Sequence, residues 1–393
     1  MRDVQPHTNE HAGSVFRAVM SSRFTYAINW YTVSPALYLI TVYYHAPVYL
    51  EGFIASFFFL AVGLFQLPAG VFSSRFGSKE TSIGGLLLLS VCSIATPFAP
   101  SFVILLLLRF MAGIGAAFFF APAIGLLSSF FRKEERTQVI GIYNASFQLG
   151  AGTAVLIWPY LISRTDWQTG VILGGLLSLI TCAYSYFGID MRKASENSQR
   201  SVSLKEVREV ILNRKVWMIA LGFVGIWGVY SAATQFMVIY SKNYLEAGSV
   251  TAGILSSLIL FVGIPGGYIS GPLSRLLPDG RKILLGVVIL FSLSLLLFTL
   301  KSMIAAIAGS LLLGMLFTAG VTVTYALPAQ MKEISFKNIP LAVSLVNSVQ
   351  VLGGFWVPAL YGYVAVTAGY AAAWLSMLPV ALLFIPFYLA LKI

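Results

Sequence analysis

The chain has 393 residues, 58% hydrophobic, 14% aromatic and only 10% charged, with a net charge of +11. Soluble domains carry about a quarter charged residues, so a mean hydropathy of +0.85 excludes an ordinary water-soluble fold. The excess of cations shows no basic stripe interleaved with exposed aromatics, which speaks against a nucleic-acid partner and for the lipid bilayer.

A crossing of the hydrocarbon layer needs about 20 apolar residues. After a polar tail at 1–13, twelve such runs follow in chain order: 17–44, 48–73, 80–99, 102–131, 137–163, 168–189, 216–241, 249–277, 283–300, 302–330, 338–366 and 370–391. The ten-residue alternation of a strand barrel is missing. The sequence therefore predicts an all-α integral membrane protein of twelve transmembrane helices. The first run is long enough to span, so it reads as a helix and not as a cleavable leader.

Twelve spans put both termini on one side. Of the 25 Lys and Arg, Arg164, Lys242 and Lys301 fall in loops on the opposite side, Arg109 falls inside a span, and the remaining 21 are assigned to the side of the termini. The positive-inside rule then predicts cytoplasmic N- and C-termini. Cys92 and Cys182 lie in apolar spans and read as small core residues. His7, His11 and His45 lie in the tail and the first outer loop. No metal site, hydrolytic constellation or nucleotide-binding loop can be assembled, so no cofactor and no enzymatic activity are expected.

The longest polar stretch, Asp190 to Lys215, follows the sixth run. Ser203 three residues before Glu206 marks a possible helix start, and Val207, Val210 and Ile211 give that helix an apolar face. This linker divides the chain into an N-terminal six-helix bundle at 14–189 and a C-terminal one at 216–393. Internal matches support a duplication. Gly70 and Ser73 match Gly271 and Ser274, "SFQLGAG" at 146–152 matches "SVQVLGG" at 348–354, and Lys133-Glu134 matches Lys332-Glu333. The offsets are nearly equal.

The turn "QLPAGVFSSRFGSK" at 66–79 carries a more specific signal. It resembles the loop between the second and third helices of the major facilitator superfamily, through Gly70, Arg75, Phe76, Gly77 and Lys79. Phe72 stands where Leu is common, and Ser78 where Arg is common. Ser74 replaces the expected Asp, which puts the family's charge-paired latch in doubt. Arg109, Gly113 and Gly115 fit a second signature of that superfamily, Arg-x-x-x-Gly-x-Gly. Gly271 and Arg275 occupy the second half's version of the loop. In the fifth run Pro159 comes too late for the Gly-Pro antiporter signature, and Gly150 and Gly152 read as a packing face. The resemblance implies two pseudo-symmetric six-helix bundles that rock about a central site, moving a small solute by alternating access.

Polar groups inside spans are costly and default to functional suspects. The runs offer Tyr26, Asn29, Trp30 and Tyr31; Asn144 and Gln148; Trp227, Tyr230 and Gln235; Thr322 and Tyr325; Asn347 and Gln350. The resemblance places these runs around the central cavity. Amides with Tyr and Trp suit a small neutral or anionic organic solute. Each of these residues serves equally well as an interhelical hydrogen-bond partner. Gln148 and Gln350 are singled out because the repeat relates them. Arg109 could bind a carboxylate or brace its own bundle. All acids lie outside the span centres, Glu51 being nearest, so facilitated or exchange transport leads and proton-coupled symport or export is the alternative. A membrane receptor without transport is the competing class. The chain is expected to act as a monomer in the cell membrane.

Overall fold

A computed structural model of the chain describes residues 7–131, 133–191, 204–267, 279–331, 333–334 and 338–391. Gly271, Ser274, Arg275 and Lys332 lie outside the described residues. Among the described residues the secondary structure is helical throughout. We number the crossings α1 (His7–Tyr31, continued after a turn by Leu37–Tyr43), α2 (Glu51–Phe76), α3 (Ser78–Ala95), α4 (Phe102–Phe130), α5 (Lys133–Arg164) and α6 (Trp167–Gly188). The second half holds α7 (Arg214–Gly222 and Val224–Asn243), α8 (from Ser249–Phe261), α9 (Gly280–Ser294), α10 (Met303–Ala326), α11 (Ile339–Val351 and Gly353–Ala368) and α12 (Tyr370–Leu382 and Ile385–Ala390). A linker helix, Leu204–Ile211, precedes α7.

Eleven of these segments are long and apolar enough to cross a membrane. The twelfth crossing is α1, whose lower hydropathy reflects Arg17, Arg23 and a row of hydroxyls. That row has a structural use. Ser22, Thr25 and Asn29 recur on one face of α1 and meet α6, with Ser22 bonding to Ser185 at 2.8 Å, Thr25 to Thr181 at 2.7 Å and Asn29 Nδ2 donating to Ser178 Oγ at 2.5 Å. Helix α1 ends at a Pro35 turn.

The two halves repeat each other contact by contact. Gly113 on α4 abuts the Phe58 carbonyl of α2, and Gly314 on α10 abuts the Ile259 carbonyl of α8. Gly150 abuts the Phe24 carbonyl, and Gly353 abuts that of Val224. Tyr44 Oη donates to the Ala99 carbonyl at 2.7 Å, and Tyr244 Oη to that of Thr299 at 2.9 Å. Ser101 caps α4, and Ser302 caps α10. All are related by a shift of 200 to 203 residues. Side chains are missing where backbones touch because a Cβ there would overlap a carbonyl, the usual reason for small residues at membrane helix interfaces.

Several bonds tie helix ends together near each chain terminus: Ser14 Oγ donates to the Gly188 carbonyl, Lys79 Nζ to that of Ile189, and Arg281 to that of Leu391. We call this the terminal end. Close contacts between the halves reach from the opposite end to mid-span. Ser34 Oγ donates to the carbonyl of Gln235 at 2.5 Å, and Gln235 Nε2 donates to that of Trp30 at 3.3 Å. Ser348 Oγ donates to the Gly63 carbonyl, and a Cβ on Gly253 would lie 2.6 Å from the Leu156 carbonyl oxygen. The opposite end is thus sealed by α1 on α7, α2 on α11 and α5 on α8.

Candidate solute-binding site

The signature turn first. Gly77 ends α2 with φ +95°, a conformation other residues rarely adopt. Ser74 Oγ bonds within its own helix, to the Val71 carbonyl at 2.7 Å, and Lys79 caps the end of α6. Arg75 is exposed, and nothing lies within 4 Å of a Cβ placed on Gly70. Gly113 and Gly115 seat α4 against α2 and α3.

The central cluster is built around a residue that sequence reasoning misplaced. The positive-inside reading counts Arg23 with the cations of the terminal side, although it falls in the 17–44 run, and takes Arg109 as the cation inside a span. Arg23 lies within α1, nine residues past Ser14 or roughly 13 Å deeper at 1.5 Å per residue. It is 4% exposed. Its guanidinium carbon sits 4.4 to 4.8 Å from the ring centres of Tyr26, Phe120, Tyr143 and Phe147. Rings at that range attract a desolvated cation, yet Nε and Nη1 meet no hydrogen-bond acceptor. Across the interface Arg23 is within electrostatic reach of the Tyr325 hydroxyl on α10. That hydroxyl donates to Asn347 Oδ1 and accepts from Gln350 Nε2 at 2.6 Å. The readable signal was spacing: Arg23, Tyr26 and Trp30 fall three and four residues apart, on one helix face.

A second group lies beside it. Tyr31 lies within electrostatic reach of Tyr230, and the Tyr230 hydroxyl lies near the Gln148 amide but outside hydrogen-bond geometry. The Tyr230 ring stacks on Phe317 at 3.5 Å. Gln148 also borders Gly263 on α8, as does Thr318 on α10. The Tyr230 hydroxyl and Gln148 Oε1 are both buried without a partner, as is Gln350 Oε1. Such groups in a native protein call for a ligand, water or ion.

The remaining residues are engaged elsewhere. Asn29 turns to α6, and Gln235 serves the seal. Trp227 packs on Phe59 at 5.3 Å. Asn144 and Thr322 are exposed, Thr322 bonding to its own helix. Arg109 stays inside the first half, with Nε donating to the Ile54 carbonyl at 3.2 Å and its guanidinium over Phe58 at 4.6 Å.

Residues 19–335 match the family profile described as the Major Facilitator Superfamily. The chain belongs to this superfamily. It is accordingly a multi-pass membrane protein of a transporter family, and not an enzyme. Among curated relatives, a probable anion transporter 6, chloroplastic, of Arabidopsis thaliana is 29% identical over 224 residues, covering 51% of this chain and 43% of the relative. A probable L-galactonate transporter of Escherichia coli K12 is 23% identical over 244 residues, covering 58% and 54%. The matched stretches thus span about half the length of these relatives. A solved structure of a bacterial homologue of the human lysosomal transporter Spinster, inward-facing and unoccupied, superposes with a TM-score of 0.76 at 14% identity, over 98% of this chain and 97% of that one. At that identity the likeness shows the superfamily fold.

Proposed function

We propose that this chain moves a small organic anion, a carboxylate or a similar oxyanion, across the cell membrane by alternating access, with Arg23 as the anion-binding group. The observation that carries the reading is a buried guanidinium whose Nε and Nη1 meet no acceptor, within electrostatic reach of Tyr325 on the second half. Burying a charge whose N–H groups lack acceptors is expensive, and an oxyanion that accepts from a guanidinium N–H makes a charge-assisted hydrogen bond. Tyr325, Asn347 and Gln350 supply neutral hydrogen bonds from the other half, and Tyr26 and Phe147 an apolar wall. Two relatives whose names refer to an anion and to a sugar acid favour the same class. With cytoplasmic termini, the sealed opposite end is the outer one, and an inward-facing state opens at the terminal end. The site is then reached from the terminal end, and rocking of the halves exposes it to the other side.

Counterflow in proteoliposomes tests this. Trapped unlabelled carboxylate should accelerate entry of the labelled compound, whereas binding without exchange would indicate a receptor. Arg23→Gln should lose about 1.5–3 kcal/mol of affinity for the carboxylate, roughly tenfold to a hundredfold, because a charge-assisted pair is removed. An uncharged amide analogue should be bound equally by both proteins. Equal carboxylate affinity in wild type and Arg23→Gln would overturn the assignment.

A further inference from the structure

Glu51 begins α2 at the opposite end of the bundle, directly after the turn Val48–Leu50. Acids at such membrane boundaries ordinarily face water. This one is 3% exposed, and its Oε2 meets no hydrogen-bond donor. It is buried because α2 starts against α11. A Cβ on Gly52 would lie 2.6 Å from the Pro358 carbonyl oxygen, so the two backbones touch and cover the neighbouring carboxyl. Phe236 of α7 closes on Gly362 from behind, and Tyr49 and Tyr363 meet at 6.2 Å outside.

The groups that face Glu51 are neutral. On α11 Tyr361 is its electrostatic neighbour, and the Tyr361 hydroxyl is itself buried without a partner. On α12 the neighbour is Tyr370, whose hydroxyl accepts from Asn243 of α7 at 2.9 Å. The cation on α4, Arg109, donates through Nε to the Ile54 carbonyl, keeps Nη2 without an acceptor and makes no ion pair with Glu51 among the described residues. Lys242, at the end of α7, makes no ion pair with Glu51 among the described residues. His45, in the connection before α2, is exposed. An ionised carboxylate in such surroundings costs several kcal/mol. A protonated one donates a hydrogen bond and carries no charge.

We propose that Glu51 is a proton-binding site built into the seal between α2 and α11, so that the closed seal requires its protonated form and ionisation favours opening. The site lies on the opposite face of the bundle, away from the central cluster. Its proton therefore exchanges with one compartment only. A residue wetted from one side cannot carry protons across, so Glu51 senses the pH of that compartment and sets the balance of the two states. The sign follows from linkage: the closed state binds the proton more tightly, so acid favours closure and alkali favours opening. This inference rests on the fold and stands independently of the anion reading.

The test is a distance measurement in proteoliposomes. Spin labels at Tyr49→Cys and Tyr363→Cys, in a background with Cys92 and Cys182 replaced by Ser, report separation across the seal without any solute. In otherwise unaltered protein the closed-to-open ratio should rise as pH falls between about 9 and 5, by up to about tenfold per pH unit, the limit for one linked proton. Glu51→Gln, a permanently neutral isostere, should stay closed at every pH. Glu51→Asp should keep a titration with a displaced midpoint, which guards against a Gln variant that merely misfolds. His45→Gln should titrate unchanged. Distances independent of pH in the unaltered protein would overturn the proposal. So would a titration that survives in Glu51→Gln or vanishes in His45→Gln.

Discussion

The two halves share a frame and differ in what they put inside it. Glycine contacts, tyrosine bonds and serine caps recur at a shift of 200 to 203 residues. Yet Arg23 is matched at that shift by Phe223, and Arg109 by Ser310. Phe223 is fully buried, lies 5.9 Å from the Phe317 ring and fills the space beside Gly320. Among the described residues both deep guanidiniums therefore belong to the first half, and the second answers with the neutral set Tyr325, Asn347 and Gln350. Duplication conserves the contacts that hold backbones together, and the site is made by breaking the symmetry. On the proposed function, a solute held between such faces would have one charged end and one hydroxylated or otherwise polar end.

The sharpest way to break this comparison is to move the charge. Phe223→Arg would place a guanidinium against Phe317 and Gly320 with no acceptor and no ring cage. An uncompensated buried charge costs about 3–5 kcal/mol, so the variant should lose much of its thermal stability. Arg23→Phe removes a charge that the first half already leaves unpaired, and should lower the melting temperature little while ending carboxylate binding. Equal melting losses in the two variants would mean that the halves are interchangeable here.

A smaller effect separates the two arginines. Arg109 is buried as deeply as Arg23 and its Nη2 also lacks an acceptor, but its Nε serves the Ile54 carbonyl inside its own half. Arg109→Gln should forfeit that charge-assisted bond, about 1.5–3 kcal/mol of stability, and leave solute affinity within about twofold. A fall in affinity without a fall in melting temperature would move Arg109 into the site.

How far the sequence carried is clear from these residues. Span count, helical class and duplication were legible because apolar runs and glycines report backbone proximity directly. Tyr26, Tyr325, Asn347 and Gln350 were legible as polar residues in apolar runs, and the structure brings them to one cluster. Arg23 was not, because a cation near the start of an apolar run looks like a topology signal. Only the helical structure from His7 onward shows that Arg23 lies deep in the bundle. Asn29 and Gln235 share the composition of the other candidates, and only the structure shows that their amides bond to α6 and α1. Glu51 lies next to a loop in sequence, and its burial depends on a helix some 300 residues away.

The smallest expected effect probes what the halves hold in common. Ser101 Oγ accepts from the Ile104 amide at 3.3 Å, and Ser302 Oγ from the Ala305 amide at 3.4 Å. Each satisfies one otherwise free N–H at a helix start. Removing such a cap costs about 1 kcal/mol in a typical protein. Because α4 and α10 hold the same place in their bundles, Ser101→Ala and Ser302→Ala should lower the melting temperature by similar small amounts. Neither should alter counterflow, since both caps lie at the opposite end, remote from Arg23 and Tyr325. Both bonds are long, so the loss should fall in the lower part of the usual range. If one alanine variant were silent and the other costly, the frame itself would be asymmetric. The difference between the halves would then extend beyond the charges inside them.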